Sequence, residues 1–263
     1  MKIVFYKYHG AGNDFVIIDN RNNNYELSKE LIAKICERRF GIGADGLMSL
    51  ENDNQYDFRM KYYNSDGAEG SMCGNGGRCI VAFAHKLGII KSKTEFIATD
   101  GTHKAVINSI DNNTLNISLE MNDVSNINEN ENSYFLDTGS PHHISFVDDI
   151  RKVNIFDEGR KIRYSDDYKK TQGTNVNFIE VKEEYLIIRT YERGVENETF
   201  ACGTGATAAA IAYAHKTKKY NKEIKLKALG GELSLKFDYK DNIFKNVILR
   251  GPAQFVFNGE IEL

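Results

Sequence analysis

Glu69-Gly-Ser-Met-Cys73-Gly-Asn-Gly-Gly77 and Glu198-Thr-Phe-Ala-Cys202-Gly-Thr-Gly-Ala206 share one pattern, ExxxCGxG, at an offset of 202 − 73 = 129. Further segments keep nearly that spacing. Gly43-Ala-Asp-Gly-Leu-Met48 answers to Gly173-Thr-Asn-Val-Asn-Phe178, Phe58-Arg59-Met60 to Ile188-Arg189-Thr190, and Gly101 to Gly231, each 130 apart. Each match alone is weak, but four in order at a steady offset mark two copies of one unit, each about half of the 263-residue chain and of ordinary domain size. The boundary is expected at the polar stretch NDVSNINENEN, residues 122–132, giving halves of 1–118 with 251–263 and 119–250. The C-terminal remainder, Arg250-Gly251-Pro252 and AQFVFNGEIEL, reads as a strand bent at an Asn258-Gly259 turn.

Around the repeated motif, short β-rich runs alternate with turn residues. KIVFYKY, DFVIID, YDFRMKYY, EFIATD and LNISLEM in the first copy, and HHISFVDD, NVNFIEV, YLIIRTYE, EIKLKAL and ELSLKF in the second, read as strands. GGRCIVAFAHKL (76–87) and GATAAAIAYAHK (205–216) are apolar on most faces, the pattern of a helix buried all round. SKELIAKICERR, capped by Ser28, is an amphipathic surface helix, and Cys36 on it is a packing residue. The expected fold is α/β of the α+β kind. Two pseudo-symmetric duplicated domains each wrap a mostly antiparallel sheet or barrel around a central helix, with the active site in the interdomain cleft.

Composition narrows the chemistry. Hydrophobic residues at 41% and charged residues at 27% fit a globular chain, and 34 − 37 gives a net charge of −3, so no basic field exists to hold a nucleic acid or an anionic membrane. No stretch approaches the ~18 apolar residues of a membrane span. The N-terminal apolar run is broken by Lys2, Lys7 and His9, which does not suit a signal peptide, so a cytoplasmic location is expected. Four cysteines, none spaced CxxC, are too sparse for a disulfide scaffold.

Both repeated cysteines stand just before a predicted helix, followed by glycines that let a ligand approach unpaired backbone N–H groups. Such a terminus draws a thiol pKa from about 8.5 toward neutrality and attracts a carboxylate. One such cysteine suggests a nucleophile. Two, in equivalent positions of a duplicated chain, suit thiols that approach one carbon from opposite faces, one removing a proton as thiolate and the other delivering one, with no imine-forming cofactor.

With these blocks in view the sequence resembles the diaminopimelate epimerase family over nearly its whole length. The resemblance rests on His9-Gly-Ala-Gly-Asn-Asp-Phe15, Gly41-Ile-Gly-Ala-Asp45, Asn64-Ser-Asp-Gly67, Cys73-Gly-Asn-Gly76, Pro141-His142, Asn175, Tyr191-Glu-Arg-Gly194 and Ala201-Cys-Gly-Thr-Gly205. It implies a cofactor-independent isomerase that interconverts LL- and meso-diaminopimelate in lysine and peptidoglycan-precursor biosynthesis, with a homodimer as candidate assembly. It makes Cys73 and Cys202 the acid/base thiols, with His142 and Glu192 as further catalytic residues. Substrate binding falls to Asn13, Asn64, Gly74, Asn75, Asn175, Glu192, Arg193, Gly203 and Thr204. Arg193 suits a distal carboxylate through its fork, and Asn and Glu side chains suit the distal ammonium. Two positions depart from the pattern of some members: Gly46 stands in place of Gln and Ser140 in place of Asn, and neither is taken as a binding residue.

Competing motifs fail on context. Gly41-Ile-Gly43-Ala-Asp-Gly46 satisfies GxGxxG but follows a helix and precedes the strand-like LMSLE, the reverse of a dinucleotide site. Neither CGxG loop carries the Lys-Ser or Lys-Thr of a phosphate loop. His142 and His143 lack partners at metal-ligand spacing, so no metal is expected. Two alternatives stay open beside the epimerase: another cofactor-independent racemase or isomerase of the same fold, and a thiol protein using the cysteines for redox or acyl transfer.

Overall fold

A computed structural model describes residues 2–70, 72–220 and 222–262. The chain divides into two compact units, Met1–Leu119 with Gly251–Leu263 and Glu120–Arg250. Strands β1 (Lys2–Gly10), β2 (Asn13–Asp19), β3 (Gly46–Glu51), β4 (Arg59–Asn64), β5 (Glu69–Gly70), β6 (Lys93–Ala98), β7 (Gly101–Asp111) and β8 (Thr114–Glu120) come in the first half of the sequence, with helices α1 (Lys29–Cys36) and α2 (Gly74–Lys86). Then follow β9 (Ile127–Glu129), β10 (Ser133–Asp137), β11 (Pro141–Phe146), α3 (Ile155–Arg163), β12 (Asn175–Val181), β13 (Leu186–Glu192), β14 (Asn197–Thr199), α4 (Gly203–Thr217), β15 (Ile224–Ala228), β16 (Gly231–Lys240) and the long β17 (Ile243–Glu262).

In the first unit β1, β2, β3, β4, β6, β7, β8 and residues 251–262 of β17 pair in that order, and β17 pairs back to β1, closing an eight-stranded barrel. Only β2–β3 and β4–β6 run parallel, as pairs joined by a crossing helix or loop must. The second unit repeats the ring through β9, β10, β11, β12, β13, β15, β16 and residues 243–250 of β17, again with two parallel pairs, β11–β12 and β13–β15. Residues 121–124 complete it: Met121 N–H donates to the Val247 carbonyl at 2.8 Å, and Val124 and Phe244 exchange backbone bonds.

Alternation writes these strands: β1 buries Ile3 and Phe5 on one face, in the cluster beneath α1, and turns Tyr6 toward Phe83 of α2, while β16 buries Leu233, Leu235 and Phe237 on a single face. Each barrel is filled by its own helix, α2 or α4, and both are buried on nearly every face. The confined space explains their small residues. A Cβ at Gly77 would lie 2.9 Å from Leu119 Cδ2, and one at Gly205 only 2.5 Å from Asn177 Oδ1. Outside the first barrel, α1 lays Ile32, Ile35 and Cys36 on Val16, Ile18 and Leu47. Outside the second, α3 lays Ile155 on Val176 and Phe178.

Four local expectations change. Both central helices begin two residues early, at Gly74 and Gly203, so each cysteine is itself the N-cap. The surface helix stops at Cys36, where the returning chain takes its last carbonyls: Ile42 and Gly43 N–H bond Ile35 O, and Ala44 N–H bonds Cys36 O. Residues 122–132 are not a mere linker, since Val124 is buried and Ile127–Glu129 pairs with β10. No turn forms at Asn258-Gly259, because Gly259 pairs in register with Phe5 and its missing side chain makes room for that ring, 3.1 Å from where a Cβ would sit. The helix α3 lacks a strong apolar signature in sequence and rests on its cap, Asn154, whose side chain accepts from Asp157 N–H. Among the described residues no helix is long and apolar enough to cross a membrane.

Candidate active site

In the first unit the site grows from the start of α2. Cys73 is half-buried, its backbone extended (φ −94°, ψ 130°), and the first helical bond runs from Gly77 N–H to Cys73 O at 2.7 Å. The Cys73 thiol donates to Asn13 Oδ1 at 3.7 Å, and Asn75 Nδ2 donates to the same oxygen at 3.3 Å. Asn13 is not loose: its Nδ2 donates to Asp45 Oδ2 at 2.7 Å, which turns the amide oxygen toward the sulfur. Asp45 is in turn tied to Arg38, which also holds Asp14 beside Lys7. Partial burial alone would raise the Asp14 carboxyl, but hydrogen bonds from Arg38 and Lys7 hold it down at about 2. Beneath the helix start lies Arg78, wholly buried, whose fork reaches Gly74 O (3.1 Å), Asn75 Oδ1 (2.8 Å) and Pro252 O (3.3 Å). Gly10 admits this arrangement, since a Cβ there would lie 2.9 Å from the Asn75 carbonyl oxygen.

The second unit repeats the plan with different side chains. Cys202 caps α4, again half-buried and extended (φ −121°, ψ 117°), and its sulfur accepts from Gly205 N–H at 3.4 Å. Thr204 Oγ1 lies 3.4 Å from that sulfur and 2.9 Å from His142 Nε2. Ser140 Oγ stands 3.0 Å from the same imidazole nitrogen and 3.3 Å from Thr204 Oγ1. Thr138 fixes the loop by donating to the Thr204 carbonyl at 2.9 Å. Burial, with the Arg193 cation adding to it, pushes His142 down to about 3, so the ring is neutral at ordinary pH and reaches Cys202 through one hydroxyl. Asn175 donates to Ser140 Oγ and the Pro141 carbonyl and accepts from Arg193 N–H at 2.9 Å. The Arg193 guanidinium bonds the Thr171 carbonyl at 3.0 Å, and Glu192 accepts from Thr199 Oγ1 at 2.8 Å.

Register places the outlying candidates. Asn64, the last residue of β4, pairs with Gly46, and Gly46 with Phe15, two residues beyond Asn13. In the second unit His142 pairs with Asn175, and Val176 with Tyr191, just before Glu192. Thus Asn13 and Asn64 share one end of the first barrel, and His142, Asn175, Glu192 and Arg193 the matching end of the second. Gly46 has no room for a side chain: a Cβ would sit 2.6 Å from Tyr63 O and 2.8 Å from Tyr62 Cε2. The remaining cysteines are set apart. Burial pushes Cys36 up to about 12 and Cys79 up as well, which suits packing residues.

The diaminopimelate epimerase family model matches residues 5–127 and again 134–256, two alignments 134 − 5 = 129 apart. A diaminopimelate epimerase of Flavobacterium psychrophilum is 53% identical over 258 residues, covering 97% of this chain and 99% of the relative. The chain belongs to the diaminopimelate epimerase family. A second member, from Chlorobaculum tepidum, is 41% identical over 262 residues, covering 97% of this chain and 99% of its own. Among solved structures, a phenazine biosynthesis protein of the PhzF family from Bacillus anthracis superposes with a TM-score of 0.79 at 16% identity, each chain fully covered. A probable proline racemase from Agrobacterium radiobacter gives 0.71 at 12% identity, covering 99% of this chain and 93% of the other. At those identities the likeness speaks for fold alone, and it places the epimerase family's duplicated architecture among these proteins.

Several residues around the two cysteines of this family member escape sequence reasoning. Arg78 interrupts an otherwise apolar helix, and a charge on a helix buried all round needs a buried partner. Asn177 lies on the same strand face as Asn175, and its side chain is wholly buried between His142 and Thr190. Ser140, shorter than the Asn of some members, nonetheless sits among His142, Thr204 and Asn175. Arg78 and Asn177 are polar residues at positions the apolar pattern marks as buried, and that is the one signal of them that the amino-acid sequence carries.

Proposed function

We propose that this chain interconverts LL- and meso-diaminopimelate, moving a proton at one α-carbon between Cys73 and Cys202, and so serves lysine and peptidoglycan-precursor biosynthesis. The observation that carries the reading is the matched pair of cysteine N-caps, one at each central helix, in a chain related throughout to diaminopimelate epimerases. Inversion by this route requires the two sulfurs to address opposite faces of the same carbon. A thiolate takes the α-proton, the electron pair passes into the carboxylate as an enediolate, and the opposing thiol returns a proton to the other face. Helix-start N–H groups of Gly74, Asn75, Gly203 and Thr204 suit the charge that grows on that carboxylate, since dipole and donors both favour an anion there. The balance of atoms closes with one proton taken and one given, so the chemistry calls for no cofactor.

The distal amino-acid end falls to Asn64, Asn175, Glu192 and Arg193, with Asn13 beside Cys73. The neutral state of His142 suits a hydrogen-bond donor better than a proton shuttle. A cytoplasmic homodimer is the setting we propose for the enzyme. The test is purified protein with LL-diaminopimelate in deuterated buffer, followed by NMR and chiral separation. Deuterium entering the α-position with formation of the meso isomer is expected, and Cys73→Ala and Cys202→Ala are each expected to remove at least ~10²-fold of rate. A hydrolysed product, or near-normal turnover by either variant, counts against the two-thiol reading.

A further inference from the structure

Asn177 is completely buried below the start of α4, and none of the chemistry above uses it. Its orientation is settled by its neighbours. One terminal atom lies 3.1 Å from the backbone carbonyl of His143, a group that only accepts, so that atom is the NH2. The other accepts from Thr190 Oγ1 at 2.9 Å. The same NH2 lies 3.0 Å from His142 Nδ1, which must therefore be the acceptor and carry no proton. The neutral ring then bears its hydrogen on Nε2, where Thr204 Oγ1 stands at 2.9 Å and Ser140 Oγ at 3.0 Å. A proton on Nδ1 instead would set two donors face to face in a site shut off from water.

We propose that Asn177 is a positioning residue. Its amide holds His142 in the Nε2–H tautomer, His142 donates to Thr204 Oγ1, and the Thr204 hydroxyl hydrogen is turned toward Cys202 Sγ. The relay runs in one direction, from Thr190 through Asn177, His142 and Thr204 to the sulfur, so that Cys202 meets a side-chain donor as well as the Gly205 N–H. A charge on the Cys202 sulfur is then received by donors already in place, which is the condition for low reorganisation during proton transfer. Reversal of the tautomer turns Nε2 into an acceptor and draws the Thr204 hydrogen away from the sulfur. The tautomer follows from the hydrogen-bond partners alone, and its catalytic consequence rests on the epimerase reading.

The experiment uses the full chain labelled with 15N-histidine. In the parent protein the His142 Nδ1 resonance is expected at the unprotonated, pyridine-like position and Nε2 at the protonated, pyrrole-like one. Asn177→Asp keeps the shape and the acceptor for Thr190 but faces Nδ1 with a carboxylate, so Nδ1 becomes pyrrole-like. Its kcat is expected to fall about tenfold or more in both directions while KM stays within about threefold, the split expected when the loss falls on the transition state. If Asn177→Asp does not fold, Thr190→Val replaces it, freeing the amide from its anchor, with a measurable Nδ1–H population and reduced kcat expected. A parent protein with protonated Nδ1 overturns the proposal, and so does a folded variant whose tautomer moves while kcat does not. If the chain fails to epimerise diaminopimelate at all, that failure falls on the substrate reading, and the parent spectrum still decides the tautomer.

Discussion

Replacing Arg78 by Lys keeps a positive charge at a wholly buried position and removes only the fork. The guanidinium gives one N–H each to Gly74 O, Asn75 Oδ1 and Pro252 O, three acceptors spread around a plane. A single ammonium on a shorter stem cannot meet all three, and one retained bond is the generous case. Two charge-assisted bonds lost at about 1.5–3 kcal/mol each predict roughly 3–6 kcal/mol of destabilisation. Whole domains are stable by only about 5–15 kcal/mol, so this is a large share. For a unit of this size a melting temperature lower by roughly 10–20 °C is the expected result by calorimetry or circular dichroism. A second consequence follows from Asn75, whose amide oxygen Arg78 holds and whose NH2 faces Asn13 beside Cys73: turnover should fall even at temperatures where the variant is folded. A melting temperature within about 3 °C of the parent, a shift worth about 1 kcal/mol, refutes the reasoning, because it means that the three acceptors find other donors.

Two further outcomes can be checked. His142 and His143 are both held below the ordinary histidine value by burial, at about 3 and about 4, so each binds its proton more readily in the unfolded chain. Their contribution is fully present above about pH 6.5 and is lost as pH falls toward 4 and 3, with a slope near 1.4 kcal/mol per pH unit for each proton taken up; urea midpoints that stay level between about pH 7 and 5 contradict this. Arg193→Lys should lower kcat/KM by at least about tenfold, chiefly through KM, because a point ammonium does not reproduce a bidentate grip on a carboxylate; an unchanged value removes the distal carboxylate contact.

Much of the architecture is legible in the amino-acid sequence itself. The CGxG repeat locates both helix starts to within two residues, because a small-residue run after a cysteine leaves few alternatives to a buried helix. The alternating runs locate most barrel strands in the same way, since a half-buried strand must alternate. What escapes is what depends on partners distant in sequence. Nothing local tells that Asn258-Gly259 continues a strand, since only Phe5 across the ladder decides it. Val124 sits in a stretch whose polarity suggests a linker, and only Phe244 makes it part of a barrel. Among the site residues, the cysteines and their glycines are legible because the motif repeats. Arg78 and Asn177 are not, because a buried polar group gains its meaning from the atoms it bonds.

The closing of the first barrel by residues 251–262 has a consequence for how the protein is made. Synthesis runs from the N-terminus, yet β1 and β8 find their shared neighbour only once residues 251–262 have been made. Until then the first-made half carries two open strand edges of the kind that pair with whatever strand comes near. The second-made half, by contrast, holds every strand of its ring within residues 120–250 and can close while the chain is still being extended. The order of completion is thus the reverse of the order of synthesis. Residues 251–262, which contain neither cysteine, decide whether the first of them acquires a finished barrel around it.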